Sequence, residues 1–167
     1  MKIAIASDHA GFELKSYIKG YLLKKGFFVE DFGTDSEESV DYPDYAKKVC
    51  EAILFKGFER GILICGSGVG MSISANRFKG IRAALCQDLY TAEFSRFHND
   101  SNVLCLSGRL IGNGLAEKIV DVWFSTNFEG GRHQKRIEKI EKIMEERNEN
   151  NRKRDSWSFK TNRWPRP

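Results

Sequence analysis

The stretch Gly61-Ile-Leu-Ile-Cys65-Gly-Ser-Gly-Val-Gly70-Met-Ser-Ile-Ser-Ala-Asn76 constrains the fold more than any other part of the chain. The apolar run Ile62–Ile64 reads as a buried strand. It stops at Cys65, passes through Gly66, Ser67, Gly68, Val69 and Gly70, and enters a helix predicted to reach about Phe78. A strand that feeds a helix through a glycine turn is half of a βαβ unit, which implies parallel strands. The same turn gathers backbone N–H groups at a helix start, where an anion or a developing oxyanion is stabilised. The Cys65 thiol stands at the mouth of that cradle. A group able to move a proton, beside donors able to hold a negative oxygen, suits enolisation next to a carbonyl.

The rest of the chain repeats the strand–helix alternation. Strands are expected at Lys2–Ala6, Phe27–Phe32, Ile81–Cys86 and Asn102–Leu106. Helices are expected at Phe12–Lys25, from about Tyr42 to Phe55 with Pro43 in the first turn, at Asp88–Phe97, over 113–124, and from Glu129 to about Arg147. In the first helix Leu14, Tyr17, Ile18, Tyr21 and Leu22 recur at spacings near three and four. The expected fold is α/β: a three-layer αβα, Rossmann-like single domain over 1–147 with a five-stranded parallel sheet. Ligands of such sheets bind at the carboxyl ends of the strands. Asp8, His9, Cys65 to Gly70 and Arg109 all fall in turns at that edge. His98 precedes its strand and belongs to the opposite edge, so only a neighbouring subunit can bring it to the site.

Composition narrows the function classes. No apolar run approaches the roughly 18 residues of a membrane span. Met1–Ala6 is too short and strand-like for a signal peptide. The four cysteines at 50, 65, 86 and 105 form no CxxC pair, which points to free thiols and a cytoplasmic setting. The net charge of +4 belongs to residues 148–167, which hold six basic and two acidic side chains. Residues 1–147 carry 21 of each sign, so the body makes no electrostatic case for nucleic acid. The basic segment, with Trp157, Phe159 and Trp164, shows no helical or strand period. It reads as a mobile extension or a cloning remnant, with contact to nucleic acid or a partner as the other reading.

Several phosphate-binding signatures fail on inspection. The glycine spacing is G-x-G-x-G after the third strand, not the dinucleotide fingerprint after the first. No Gly-Lys-Ser/Thr closes a Walker loop, and a cysteine phosphatase would need arginine where Met71 stands. His9 and His98 each adjoin a carboxylate, Asp8 and Asp100, and their separation gives no metal-ligand spacing. Arg132 and Arg136 lie one helical turn apart after Gly130-Gly131, so both can face one phosphate; an ordinary solvated helix face is the alternative.

Taken in order, these pieces resemble the ribose-5-phosphate isomerase B family, which includes galactose- and allose-6-phosphate isomerases. The matching residues are Ser7–Phe12, Asp41–Pro43, Gly61–Gly70, Asn76, Gly80–Arg82, His98–Asp100, Asn102–Leu104, Gly108–Arg109 and Gly130–Arg136. They cover about residues 2–145. The resemblance implies a metal-free, cofactor-free aldose–ketose isomerase acting on D-ribose 5-phosphate and D-ribulose 5-phosphate through an enediolate. It makes Cys65 the base, supported by Ser67, with the N–H groups of Gly66, Ser67, Gly68 and Gly70 holding the enediolate oxygen. A glutamate-base branch of the family has its carboxylate at the position of Met71, so this chain falls in the cysteine branch. By the same resemblance His98 opens the furanose ring, Asp8 and Asn99 contact substrate hydroxyls, and Tyr42 lines the pocket. His9, Arg109, Arg132 and Arg136 form the phosphate clamp. Family members are dimers or dimers of dimers with shared sites, which would supply His98 from the partner. A six-carbon sugar phosphate is the alternative substrate.

Overall fold

The computed structural model describes residues 1–143. The chain divides into two compact units, one over 1–129 and one that begins at Gly130. The expected boundary at 147 and the basic extension beyond it lie outside the described residues.

The first unit is built on five parallel strands: β1 (Lys2–Ser7), β2 (Phe28–Asp31), β3 (Arg60–Cys65), β4 (Ala83–Leu85) and β5 (Val103–Ser107). They lie in the order β2-β1-β3-β5-β4. The helices are α1 (Phe12–Lys24), α2 (Tyr42–Phe55), α3 (Val69–Ala75), α4 (Leu89–Phe97) and α5 (Asn113–Ser125). Strand residues alternate between two apolar layers, as a period of two requires. Ile3, Ile5, Ile62, Ile64, Leu104 and Leu106 meet α1 through Ile18 and Leu22, and α5 through Ile119 and Trp123. Ala4, Ala6, Leu63, Cys65, Val103 and Cys105 meet α2 through Ala46 and Val49, and α3 through Ala75. Helices on both faces explain why the central strands are apolar at nearly every position. Each fully buried Ile or Leu among them contributes about 1.5–3 kcal/mol.

The chain leaves β1 in one direction to β2 and then returns across it to β3 on the other side. That reversal opens a crevice between the carboxyl ends of β1 and β3, where open α/β sheets bind ligands.

Strand β2 keeps Phe28–Asp31 of the expected Phe27–Phe32, and α3 and β4 are also shorter than the sequence suggests. Helix α3 stops at Ala75 rather than near Phe78 because the Asn76 side chain closes on the chain around it. Its amide donates to the Ser72 and Ala83 carbonyls (3.0 and 2.9 Å) and accepts the Ala83 N–H (2.9 Å), tying the helix end to β4. Strand β4 begins at Ala83 rather than Ile81. The Ile81 N–H is taken by the Phe78 carbonyl and the Arg82 N–H by the Asn102 side chain. Helix α1 ends as expected before Gly26, which has φ +85°.

The second unit opens on Gly130 and Gly131, both at positive φ, and is helical (α6) from 132 to 143, the last described residue.

Candidate active site

A crevice of about 580 Å³ lies at the carboxyl ends of β1, β3 and β5. Its first wall leaves β1. Asp8 caps the short 3-10 turn His9–Gly11, its Oδ1 accepting the Gly11 N–H at 3.1 Å, and it is buried. This pins His9 and Ala10 against the opening. His9 Nδ1 accepts the Val40 N–H at 3.2 Å. A neutral imidazole with an accepting Nδ1 carries its proton on Nε2, so the ring has a donor to offer a ligand oxygen. The second wall is Tyr42, the first residue of α2, whose ring packs on Gly70: a Cβ there would lie 2.8 Å from two ring carbons.

The floor is the turn after β3. Cys65 is the last residue of that strand and is 4% exposed, with its side chain on the crevice. The Gly68 N–H donates to Sγ at 3.1 Å. Gly68 takes φ +76°, and a Cβ there would lie 2.4 Å from Leu85 Cδ1, so only glycine lets this amide turn back to the sulfur. Gly66, Ser67 and Gly70 line the same floor. Ser67 is exposed, and its Oγ accepts the Val69 N–H at 3.3 Å. Arg109, exposed after β5, passes close enough to Gly66 that a Cβ there would touch its Cδ and Nε.

The other three cysteines are buried away from the crevice. Burial, with a smaller push from Glu51, raises the Cys50 thiol to about 12. Burial also raises Cys86, and Cys105 well above the ordinary thiol range. None of these three lines the crevice, which leaves Cys65 as the sulfur placed for chemistry there.

The crevice therefore gathers Asp8, His9, Tyr42, Cys65, Gly66, Ser67, Gly70 and Arg109. Gly68 sits just behind, with its N–H on the sulfur rather than in the opening. His98 and Asn99 are elsewhere in the chain: they follow α4 and precede β5, at the amino edge of the sheet. His98 ends α4, its N–H on the Phe94 carbonyl and its ring against Phe94 and Phe97. Arg132 and Arg136 stand one turn apart on α6, on either side of His133; Arg132 Nε donates to His133 Nε2 at 3.2 Å. Sequence reasoning missed Gln87, Ser107 and Leu110, which also line the crevice. The available signal was positional, since all three lie at or just past the carboxyl ends of β4 and β5.

The profile of the Ribose/Galactose Isomerase family matches residues 3–140. Ribose-5-phosphate isomerase B of Escherichia coli is 50% identical over 147 residues, covering 88% of this chain and 99% of its own length. A D-erythrulose-4-phosphate isomerase of Pectobacterium atrosepticum is 43% identical over 84% of this chain and 93% of its own. Among solved structures, a ribose 5-phosphate isomerase from Thermotoga maritima is 62% identical with a TM-score of 0.83, over 84% of this chain and 97% of that one. A Clostridium thermocellum ribose-5-phosphate isomerase B is 51% identical with a TM-score of 0.86, over 87% and 99%. With a sulfur on a glycine turn at the switch point and relatives matched over nearly their whole length, this chain belongs to the ribose-5-phosphate isomerase B family of sugar-phosphate isomerases.

Proposed function

We propose that this protein interconverts D-ribose 5-phosphate and D-ribulose 5-phosphate, with Cys65 as the base. The observation that carries the reading is the Cys65 sulfur, held by the Gly68 amide at 3.1 Å on the floor of a crevice walled by Asp8, His9, Tyr42 and Arg109. In the open-chain aldose the thiolate takes the proton from C2. The electrons of that C–H bond form the C1–C2 double bond, and the carbonyl electrons move onto O1. The amides of Gly66, Ser67 and Gly70 stabilise the negative oxygen, each such donor being worth on the order of 10²–10³ in rate. The thiol then returns its proton to C1 while the hydroxyl proton of O2 passes to O1, so that O2 becomes the carbonyl and O1 the hydroxyl. Asp8 binds a substrate hydroxyl, and His9 and Arg109 hold the phosphate, with Arg132 and Arg136 completing the clamp.

The sugar reaches this step only after its ring opens, and that task falls to His98 with Asn99 on the substrate hydroxyls. Both residues lie at the amino edge of their own sheet, so the reading requires a homodimer, or a tetramer of such dimers, in which each protomer completes its partner's crevice. Four free cysteines, and no helix among the described residues long and apolar enough to cross a membrane, suit an enzyme of the cytoplasm.

The test is conversion of ribose 5-phosphate, with allose 6-phosphate and erythrulose 4-phosphate assayed beside it. Every bond change is a proton transfer, so turnover should survive chelator. Cys65→Ala should lose the general-base factor, on the order of 10²–10⁴, while still binding substrate. Near-normal turnover by that variant would overturn the assignment.

A further inference from the structure

Ser107, the last residue of β5, is fully buried and lines the crevice, yet nothing in the isomerase chemistry above uses it. Its Oγ donates to the Gly66 carbonyl at 2.7 Å. The next two residues join it: the Gly108 N–H donates to the Cys65 carbonyl at 2.8 Å and the Arg109 N–H to the Gly66 carbonyl at 3.2 Å. Three consecutive residues leaving β5 thus grip two consecutive peptide units on the crevice floor.

A trans peptide is planar, and its N–H points opposite to its carbonyl. With the Cys65 and Gly66 carbonyls both turned toward β5, the N–H groups of Gly66 and Ser67 point away from it, toward the β1 side where Asp8, His9 and Ala10 stand. Those are two of the amides assigned to the enediolate oxygen. The Gly66 carbonyl accepts two hydrogen bonds at once, and a doubly engaged carbonyl polarises its peptide and strengthens the N–H on the far side. The two backbone donors come with the path of the chain, whereas the hydroxyl is a side-chain choice.

We propose that Ser107 is a positioning residue for the oxyanion site: its hydroxyl fixes and polarises the Gly66–Ser67 peptide so that the Ser67 amide meets the developing enediolate oxygen. The inference rests on the Cys65 reading and deepens it. Ser107 need not touch substrate, and its effect should appear where negative charge builds on oxygen rather than where the phosphate binds.

The experiment compares Ser107→Ala and Ser107→Thr with the natural protein in ribose 5-phosphate turnover. It adds affinity for a phosphorylated hydroxamate that mimics the enediolate, and affinity for inorganic phosphate. One neutral hydrogen bond acting at the transition state corresponds to about a 3- to 10-fold change. Ser107→Ala should lower kcat by that factor and weaken the hydroxamate in step, leaving KM and phosphate affinity within about two-fold. Ser107→Thr, which keeps the hydroxyl on a residue suited to a strand, should recover most of the loss. The amide proton resonance of Ser67 should move upfield in Ser107→Ala and return in Ser107→Thr, a readout independent of turnover. Unchanged kcat and hydroxamate affinity would overturn the proposal, as would a rise in KM alone, which marks a direct sugar contact. An equal fall in phosphate affinity, marking a collapsed crevice, would overturn it too. Should Ser107→Ala not fold, a Ser107→Thr protein without the natural Ser67 amide shift overturns it instead. Failure of the base assignment is seen separately, as turnover surviving in Cys65→Ala.

Discussion

The two edges of the sheet are built on opposite principles. At the carboxyl edge, backbone amides and small residues leave an opening, and its polar side chains reach into it. At the amino edge, side chains consume one another. Asp100 accepts from Arg82 at 2.9 Å and from the buried Arg96 at 2.6 Å. Arg96 also donates to the Ser101 carbonyl, Trp123 Nε1 to Ser101 Oγ at 2.8 Å, and Asn102 links the Gly80 carbonyl to the Arg82 N–H. The turn that carries His98 and Asn99 is set in this lattice, Asp100 itself at φ +44°. One edge is shaped to receive a ligand; the other holds a turn rigidly.

The largest effect available tests whether the two edges meet across a dimer. Cys65→Ala and His98→Asn should each be nearly inactive on cyclic sugar. After unfolding and refolding a one-to-one mixture, random pairing makes half the dimers mixed, each with one site carrying both changes and one carrying neither. About a quarter of the natural activity should return, a gain of roughly 25-fold or more over either parent. No gain from a mixture shown to contain mixed dimers would mean that the edges never share a site.

Next in size is the amino-edge lattice. Asp100→Ala strips the carboxylate from two arginines, one of them buried, and breaking such a pair costs about 3–5 kcal/mol. The partial exposure of Asp100 and screening at Arg82 place the expected loss near the lower end. Denaturant midpoints measure it. Activity on cyclic sugar should fall further than stability alone explains, because the turn carrying His98 is released. Loss of stability with full specific activity would show that the lattice serves only folding.

How much of this contrast was legible beforehand follows from its chemistry. The carboxyl edge could be read because glycines after a strand, a thiol among them and polar residues past β1 are local signals. So could the layered α/β architecture, since two-residue and near-four-residue periods mark its strands and helices, though the strand order could not. The amino-edge lattice could not. Arg96 and Asp100 stand at i and i+4, but Arg82 reaches Asp100 from 18 residues away and Trp123 reaches Ser101 from 22, and no local rule supplies those partners. Gly70 shows the same limit: it reads as an amide donor, while its lack of a side chain answers to the Tyr42 ring, 28 residues earlier.

That packing yields a smaller, sharper test of the carboxyl edge. Gly70→Ala places a methyl carbon where the Tyr42 ring lies, 2.8 Å from its carbons. Tyr42 is 40% exposed and can swing outward, so stability should fall by less than about 1 kcal/mol. The crevice wall moves with the ring. A roughly 10-fold rise in KM, with kcat less affected, is expected from steady-state kinetics, and Tyr42→Ala in the same background should relieve the clash without restoring the wall.

A pH series separates the thiol on the crevice floor from the one behind it. Cys50, on α2, keeps its proton in the folded protein up to about 12, while an ordinary thiol releases it near 9. Below pH 9 both states hold the proton and Cys50 adds no pH dependence. As the pH rises from about 9 toward 12 the unfolded chain ionises first, so stability is lost across that window, by up to about 1.4 kcal/mol per pH unit for one proton. The sign is that of a raised pKa: stability present at lower pH and lost in alkali. Cys86 and Cys105 are shifted in the same direction and contribute to the same decline. Cys50→Ala should begin less stable, because a buried sulfur is removed, yet its denaturant midpoint should fall less steeply between pH 9 and 11. Cys65→Ala should instead abolish turnover. If Cys50→Ala lost stability in alkali as steeply as the natural protein, the raised thiol in the covered layer would not be what drives that decline.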